Sequence, residues 1–333
     1  MYFLSAEEER YVQRGLLPQA RRQPVADELR GWNWPQPPLR PMYAAPLGVY
    51  EIAGKYCPTG RDVFLRRVQQ IDAAPNLGMR EGRLFHQLIA GLFTDAKRLI
   101  YAHGAACQAA LDALFRLPLP EPDGGRLAPT ERDHLLVRME VLRAFEARRI
   151  IERVEAVLAQ HAYVGADALA ALALPATVEV RLSGRFIGLS EHLAADAIAF
   201  SHMLVLDAKF GPREPFHKLT TTGYALAIES LFETPVDVGC IVYVRFMGGR
   251  VLVERDFHLI DDELRQMFLE ERDDKMRLVA EEIDPGLPAT CPRTCTYLAT
   301  CHPSGQHVAA VARDEALPAK RRGATSIPAA VGA

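Results

Sequence analysis

The stretch Ala195-Asp-Ala-Ile-Ala-Phe-Ser-His-Met-Leu-Val-Leu-Asp-Ala-Lys-Phe210 decides how this chain is read. Residues 195–200 and 203–210 are strand candidates, and the polar pair Ser201-His202 between them is where the chain reverses. A turn centred there sets Phe200 against Met203, Ile198 against Val205 and Asp196 against Asp207. Opposed residues of a hairpin have Cβ atoms roughly 5 Å apart, so the two carboxylates stand side by side. Side chains alternate along a strand, which puts Lys209 on the same face as Asp207. Like charges so placed repel unless a cation lies between them. Mg²⁺ or Mn²⁺, with their preference for oxygen donors, meets that need. Lys209 can then orient an attacking water or neutralise charge on a phosphorane-like transition state. The bland alternative is a surface hairpin with an acid and a base two residues apart. Against it, Met203 to Leu206 and Ala208 are apolar, so the charges sit in a buried type of strand and need partners.

Working outward, the β texture begins at Thr177, where Val178 to Leu182 alternates and Ser183-Gly184 marks a turn. Phe216 to Phe232 has a helical pattern, and Val236 to Phe246 and Arg250 to His258 form a second hairpin across Met247-Gly-Gly249. A charged amphipathic helix follows from Asp261 to about Ile283. The first half is helical. A short helix spans 5–15, a Pro-rich extended arm covers 35–46, and Thr59 or Asp62 caps a helix running to about Ile71. Helical spacing recurs from Gly78 to Phe115, residues 121–126 are a loop, and Thr130 opens a long helix to about Gln160. Arginines at 61, 66 and 67, and at 138, 143, 148, 149 and 153, decorate two of these helices; some of them are candidates to line a groove for a phosphate backbone, with a solvated helix face as the default. The tail from roughly Ser304, rich in Ala and Pro, is expected to be disordered.

Three thiols crowd into Cys291-x3-Cys295-x5-Cys301, and Cys57, in Tyr56-Cys-Pro58, repeats the Cys-Pro context. That density is of metal-ligand type, and four thiolates complete a tetrahedral zinc or a cubane cluster, with neither favoured by the residues alone. Closing so long a loop is worth about 5 kcal/mol, by analogy with a disulfide. Loss of the metal is therefore expected to loosen the whole body. Cys107 and Cys240 lie among apolar residues and are expected to be small buried hydrophobes. His86, on a helix, could lend an imidazole to the cation between the carboxylates, although a lone helical His is more often structural. Tyr224 could touch a phosphate or a base, with a core tyrosine as the default. Ser190-Glu191-His192 are sequence neighbours, and adjacent residues do not build a triad.

Composition narrows the classes. At 333 residues the chain can hold a full core, and a net charge of −3 gives no global basic field, so nucleic acid must be held by a local patch. No phosphate-binding loop of Walker type occurs, which argues against a motor ATPase. The start lacks the basic region of a signal peptide, and residues 166–174 are too short to span a bilayer. A cytoplasmic protein is expected.

At this point the chain resembles the CRISPR-associated RecB-like exonucleases, the fourth of the numbered Cas families, and most closely their type I-A subgroup. The landmarks run from the opening residues to about His302: Arg30-Gly-Trp-Asn-Trp34, Tyr56-Cys-Pro-Thr-Gly-Arg-Asp62, Gly188-Leu-Ser190, Ala195-Asp-Ala-Ile198, Asp207-Ala-Lys209 and Gly223-Tyr-Ala-Leu-Ala-Ile-Glu229. The resemblance implies an α/β fold of the restriction-endonuclease-like, PD-(D/E)xK class. In it a mixed sheet is flanked by helices, with a helical insertion and an iron–sulfur-bound C-terminal segment. On this reading residues 1–58 are an arm with the first cluster cysteine and 59–176 the helical region. Residues 177–260 form the nuclease core, 261–303 the C-terminal helix and cysteine cluster, and 304–333 the tail. It implies a [4Fe–4S] cluster on Cys57, Cys291, Cys295 and Cys301, Mn²⁺ or Mg²⁺ on His86, Asp196 and Asp207, and Lys209 as the catalytic lysine, with Tyr224 in the catalytic set. It implies trimming of single-stranded DNA ends, chiefly from the 5′ side, to prepare spacers with the CRISPR integrase and other adaptation proteins in antiviral defence. Self-association is left open, and no membrane is involved. A non-catalytic DNA-end-binding scaffold and a RecB-type repair nuclease are the alternatives. The chain departs from the pattern in Asp207, where Glu is common, in Thr220, where the motif has Gln, and in the three residues between Cys291 and Cys295, where two are commoner.

Overall fold

The computed structural model describes residues 1–122 and 127–303. A five-stranded mixed sheet runs in chain order, β1 (Ala176–Leu182), β2 (Leu193–Ala199), β3 (Leu204–Lys209), β4 (Val238–Met247) and β5 (Arg250–Leu259). The first three strands are an antiparallel meander, β4 is parallel to β3, and β5 returns antiparallel to β4. A parallel neighbour cannot be reached by a tight turn; the crossover is the helix Lys218–Phe232. The β4–β5 hairpin closes through Gly248 and Gly249, at φ 55° and 74°, a pair of left-handed residues that glycine adopts without strain.

Ten further helices surround the sheet among the described residues. They are α1 (Ala6–Tyr11), α2 (Leu17–Arg22), α3 (Val49–Ala53), α4 (Arg61–Arg67), α5 (Leu77–His103), α6 (Gln108–Leu111), α7 (Pro129–Gln160), α8 (Ala166–Ala173), α10 (Asp262–Ala280) and α11 (Leu298–Cys301), with α9 the crossover helix. Their apolar stripes fill two cores. Helices α5, α7 and α8 pack with the chain start on one face, against Leu204, Leu206, Ala208, Cys240 and Val242. Helices α9 and α10 pack with the arm around 29–53 on the other, against Ile198 and Val205. Cys107 and Cys240 are both fully buried in the first core, as their apolar settings suggest.

Two local expectations are corrected. The helix after Cys57 is capped by neither Thr59 nor Asp62. Gly60 stands at its N-cap with φ 74°, a left-handed position at which an added Cβ would press on Leu278 of α10. The helix over 78–115 breaks at Gly104 (φ 56°) into short turns. The expected loop at 121–126 lies partly, and the tail from Ser304 wholly, outside the described residues. Among the described residues no helix is long and apolar enough to cross a membrane.

Helix α10 binds the arm to the sheet through buried cations. Arg265, fully buried, forks onto both Glu229 oxygens at 2.7 and 2.9 Å and also reaches the carbonyls of Leu29, Val236 and Ile260. Glu229 completes its shell with Arg30 and the Gly31 and Val236 amides. Arg272 donates to the Pro38, Leu39 and Ile187 carbonyls. Lys275 donates to the carbonyls of Glu51, Ile52 and Gly54 at the C-terminal end of α3.

Candidate functional site

The decisive hairpin has the expected register, with Ile198 opposite Val205. Its reversal takes the four residues Phe200 to Met203, and Met203 stands at φ 45°, so Phe200 and Met203 lie in the loop instead of pairing. The ladder stops at Ala197–Leu206, one step before the two carboxylates would meet. There the strands part. The Ala208 amide donates to Asp196 Oδ2 at 2.8 Å, so a side chain replaces the missing strand bond.

Four of the expected site residues converge at this gap. Lys209 Nζ lies 2.8 Å from Asp207 Oδ2, and His86 reaches in from α5 to place Nδ1 3.4 Å from Asp196 Oδ2. Asp207 is buried. Burial raises both carboxyls to about 6; for Asp207 the charge of Asp196 adds to it, and Lys209 opposes it in both. Burial works to lower Lys209, but Asp207 and Asp196 outweigh it, and the ammonium is held above its ordinary value. Burial lowers His86, with Asp207 opposing it and Lys209 adding to it. Neither His86 Nδ1 nor Asp207 Oδ2 has a well-aligned hydrogen-bond partner. Two buried carboxylates that share one lysine, with an imidazole nitrogen lacking a hydrogen-bond partner, are a donor set that suits a divalent cation. Among the described residues, however, no three His, Cys, Asp or Glu side chains stand close enough together to hold an ion. Lys209 and the Ala208 amide take up the oxygens instead.

Tyr224 approaches the same place from α9, but its hydroxyl is committed to the Ala194 carbonyl at 2.6 Å, where it braces β2 two residues from Asp196. Burial, then Asp196 and Asp207, raise its pKa. Thr220, at the motif-Gln position, is buried on α9. Ser190 accepts from the His192 amide and Glu191 pairs with Arg185, so this trio is a turn and not a triad.

Sequence reasoning missed Glu179. It lies mid-strand in β1 at φ 49°, at the one register step between Val178–Ala197 and Val180–Ala195 where β1 and β2 do not pair, across from Asp196. The residue is exposed overall, and its carboxyl is raised by partial desolvation where it faces the site and by the charge of Asp196. In Val178-Glu-Val180 it reads as an ordinary outward strand residue, and only the long-range pairing could reveal it. The expected arginine groove is also corrected. Arg61 forks onto Asp284, Arg67 pairs with Glu51, Arg138 with Glu81, Arg149 with Glu146 and Arg153 with Glu9. Arg143 donates to the Leu117 carbonyl, and Arg66 reaches Glu51 and Tyr297. These seven are tied to partners in the fold, and Arg148 is exposed.

The C-terminal segment wraps the helix that follows Cys57. Tyr297 packs on Phe64 and Leu65, Asn76 donates to the Thr294 carbonyl and Thr59 to that of Gly286. All six cysteines are free thiols. Cys57, Cys291, Cys295 and Cys301 gather in one neighbourhood; burial raises Cys291 and Cys295, and the other thiols add to it. Arg61 Nη1 donates to Cys301 Sγ at 3.5 Å, and His302 Nε2 stands 3.5 Å from Cys291 Sγ.

The family model described as "CRISPR-associated exonuclease Csa1" matches residues 1–304. The chain belongs to that family. A CRISPR-associated exonuclease Csa1 of Thermoproteus tenax is 31% identical over 277 residues, covering 83% of this chain and 91% of the relative. One of Saccharolobus solfataricus is 29% identical over 279 residues, covering 84% and 93%. No solved structure gives a significant match. Membership of the Csa1 family supports a nuclease role in CRISPR systems.

Proposed function

We propose that this chain is a divalent-metal-dependent DNA exonuclease with a restriction-endonuclease-like core. It trims single-stranded ends, chiefly from the 5′ side, to prepare spacers in CRISPR adaptation. The observation that carries the reading is the meeting of His86, Asp196, Asp207 and Lys209, from three elements of the chain, at the point where β2 and β3 part. His86, Asp196 and Asp207 would hold Mn²⁺ or Mg²⁺. When bound, such a cation polarises a phosphate oxygen and lowers the pKa of a water.

The protein's own groups supply the rest. Two carboxyls held near 6 by burial demand a positive neighbour. Lys209 stays protonated, so its ammonium can donate to a phosphoryl oxygen as charge builds there. Water oxygen bonds to phosphorus, the bond to the leaving sugar oxygen breaks, and a proton passes to that oxygen. Tyr224 holds β2, and so Asp196, in place.

The thiol set fits a second centre. Four thiols with no carboxylate among them suit zinc or iron–sulfur. Of the two, the resemblance to the RecB-like exonucleases favours [4Fe–4S] on Cys57, Cys291, Cys295 and Cys301. The CRISPR integrase and DNA are the partners this reading requires, in the cytoplasm.

The test is an oxygen-free assay of end-labelled single- and double-stranded DNA with Mn²⁺. Lys209→Ala and Asp207→Ala are expected to lower the cleavage rate on the order of a hundredfold or more, with 5′-labelled single strands shortened first by the unaltered protein. Equal cleavage by a clean Lys209→Ala preparation would sink the assignment.

A further inference from the structure

The candidate site leaves one neighbouring residue without a role. Tyr56 is 59% exposed, yet it is held at its hydroxyl and along its ring. The hydroxyl lies 3.1 Å from His217 Nε2, and the ring stands edge-on to Phe216 at 4.9 Å and 86°. His217 is buried, and its Nδ1 lies 3.2 Å from the Tyr243 hydroxyl. Tyr243 is the register partner of Lys209 across the parallel β3–β4 pair. A chain of three hydrogen-bonded side chains therefore runs from the strand neighbour of Lys209 to an open aromatic face. A neutral imidazole donates from one nitrogen and accepts at the other, so a single proton arrangement satisfies both tyrosines.

Fixing an exposed ring costs rotamer entropy and gains little burial, so stability does not account for it. The surroundings are of mixed charge. Lys209 acts on the Tyr56 hydroxyl against Glu214 and Asp207, and the Arg213 guanidinium, paired with Glu254, lies 4.7 Å over the Tyr243 ring. A held, exposed ring offers a base its π-face, and Lys209 nearby offers a backbone its counter-charge.

We propose that Tyr56 is a stacking platform for a base of single-stranded DNA, the strand's phosphate lying at Lys209. This rests on the nuclease reading above and adds to it a residue that holds the strand. Because a ring meets every base alike, the contact is sequence-tolerant. Tyr56 also directly precedes Cys57, so a centre on the thiols would anchor the platform's backbone.

The experiment uses the full chain purified without oxygen, a labelled single-stranded oligonucleotide, and chelator to prevent turnover. Tyr56→Ala is expected to weaken binding on the order of tenfold, and Tyr56→Phe, which keeps the ring, to stay within about threefold of the unaltered protein. Oligonucleotides with one abasic position, moved along the strand, identify the stacked base. At that position the unaltered protein loses the same factor and Tyr56→Ala loses nothing further, an outcome that a purely structural role does not produce. Equal binding by Tyr56→Ala, or a ratio between the two proteins that no abasic position changes, overturns the platform while unaltered cleavage leaves the nuclease reading standing. Failure of the unaltered protein both to bind and to cleave overturns the two together. Iron content and melting temperature establish that each variant is folded, and Tyr56→Leu, which keeps the contact with Phe216, takes the place of the Ala variant should that one unfold.

Discussion

Replacing Lys275 by methionine keeps the volume and removes the charge. Its ammonium, almost wholly buried, donates at 3.0, 2.8 and 3.1 Å to the Glu51, Ile52 and Gly54 carbonyls, which end α3 three residues before Cys57. Leaving each buried carbonyl without a donor costs about 1–3 kcal/mol, offset in part because methionine, unlike an ammonium, carries no several-kcal/mol cost of leaving water. The balance is a loss of about 3 kcal/mol in Lys275→Met, because the carbonyls then lie buried without a donor. At the low end for a chain of this size that lowers the melting temperature by roughly 6 °C. The same contact changes what the thiols are worth. With the arm already held at Lys275, a centre on the thiols closes a residual loop of only about twenty residues, worth about 3 kcal/mol in place of the 5 expected for the open chain. Removing a thiol by Cys301→Ser is therefore expected to loosen the region around 57–76 and 284–303 and leave the sheet folded. In Lys275→Met the same loss should reach further into the protein. The assay is thermal unfolding of oxygen-free protein, followed by circular dichroism with iron determined in parallel. Should Lys275→Met melt within about 1 °C of the unaltered protein and keep its iron, water reaches the α3 carbonyls and the clamp argument is wrong.

Other expectations follow from the buried charges. Arg265→Ala takes from buried Glu229 one of its two guanidinium partners and is expected to cost about 3–5 kcal/mol in denaturant unfolding; a loss below about 1 kcal/mol would show that Arg30 and the backbone amides satisfy the carboxylate alone. Burial holds His258 at about 4, and burial with the Lys209 charge holds His217 at about 4. Both are lowered below the unfolded value, so their contribution is fully present above about pH 6.5 and is lost as pH falls toward 4. His258→Gln should flatten the fall in stability across that window, and an unchanged slope would show that His258 protonates without penalty.

Much of the site was legible because hairpins are local. The turn at Ser201-His202 and strict alternation placed Asp196, Asp207 and Lys209 together, and the Ile198–Val205 pairing follows that reading. What alternation could not give is the parting of the strands beyond Ala197–Leu206, since that depends on how β1 and β4 pull on the two strands from either side. Glu179 shows the same limit. Its partner Asp196 is set by a pairing with another strand, and its positive φ has no signature in Val178-Glu-Val180. The arginines erred the other way. Their spacing on helices suggested an open charged face, but the acids that pair with them come from distant segments.

The sequence by itself determined the long helices in outline, the two hairpins, the crowding of thiols near the C-terminus and the identity of the groups able to do chemistry. Each of these rests on spacing within a few residues. Only the tertiary structure decided that α10 holds the arm through Arg265, Arg272 and Lys275, that His86 reaches Asp196 from another layer, and that Tyr56, His217 and Tyr243 form one hydrogen-bonded line. A backbone's local preferences fix which way a side chain points within its own element. Which charge, carbonyl or ring it then meets depends on the packing of elements far apart in the chain, where burial makes an unpaired group costly and so selects the partner.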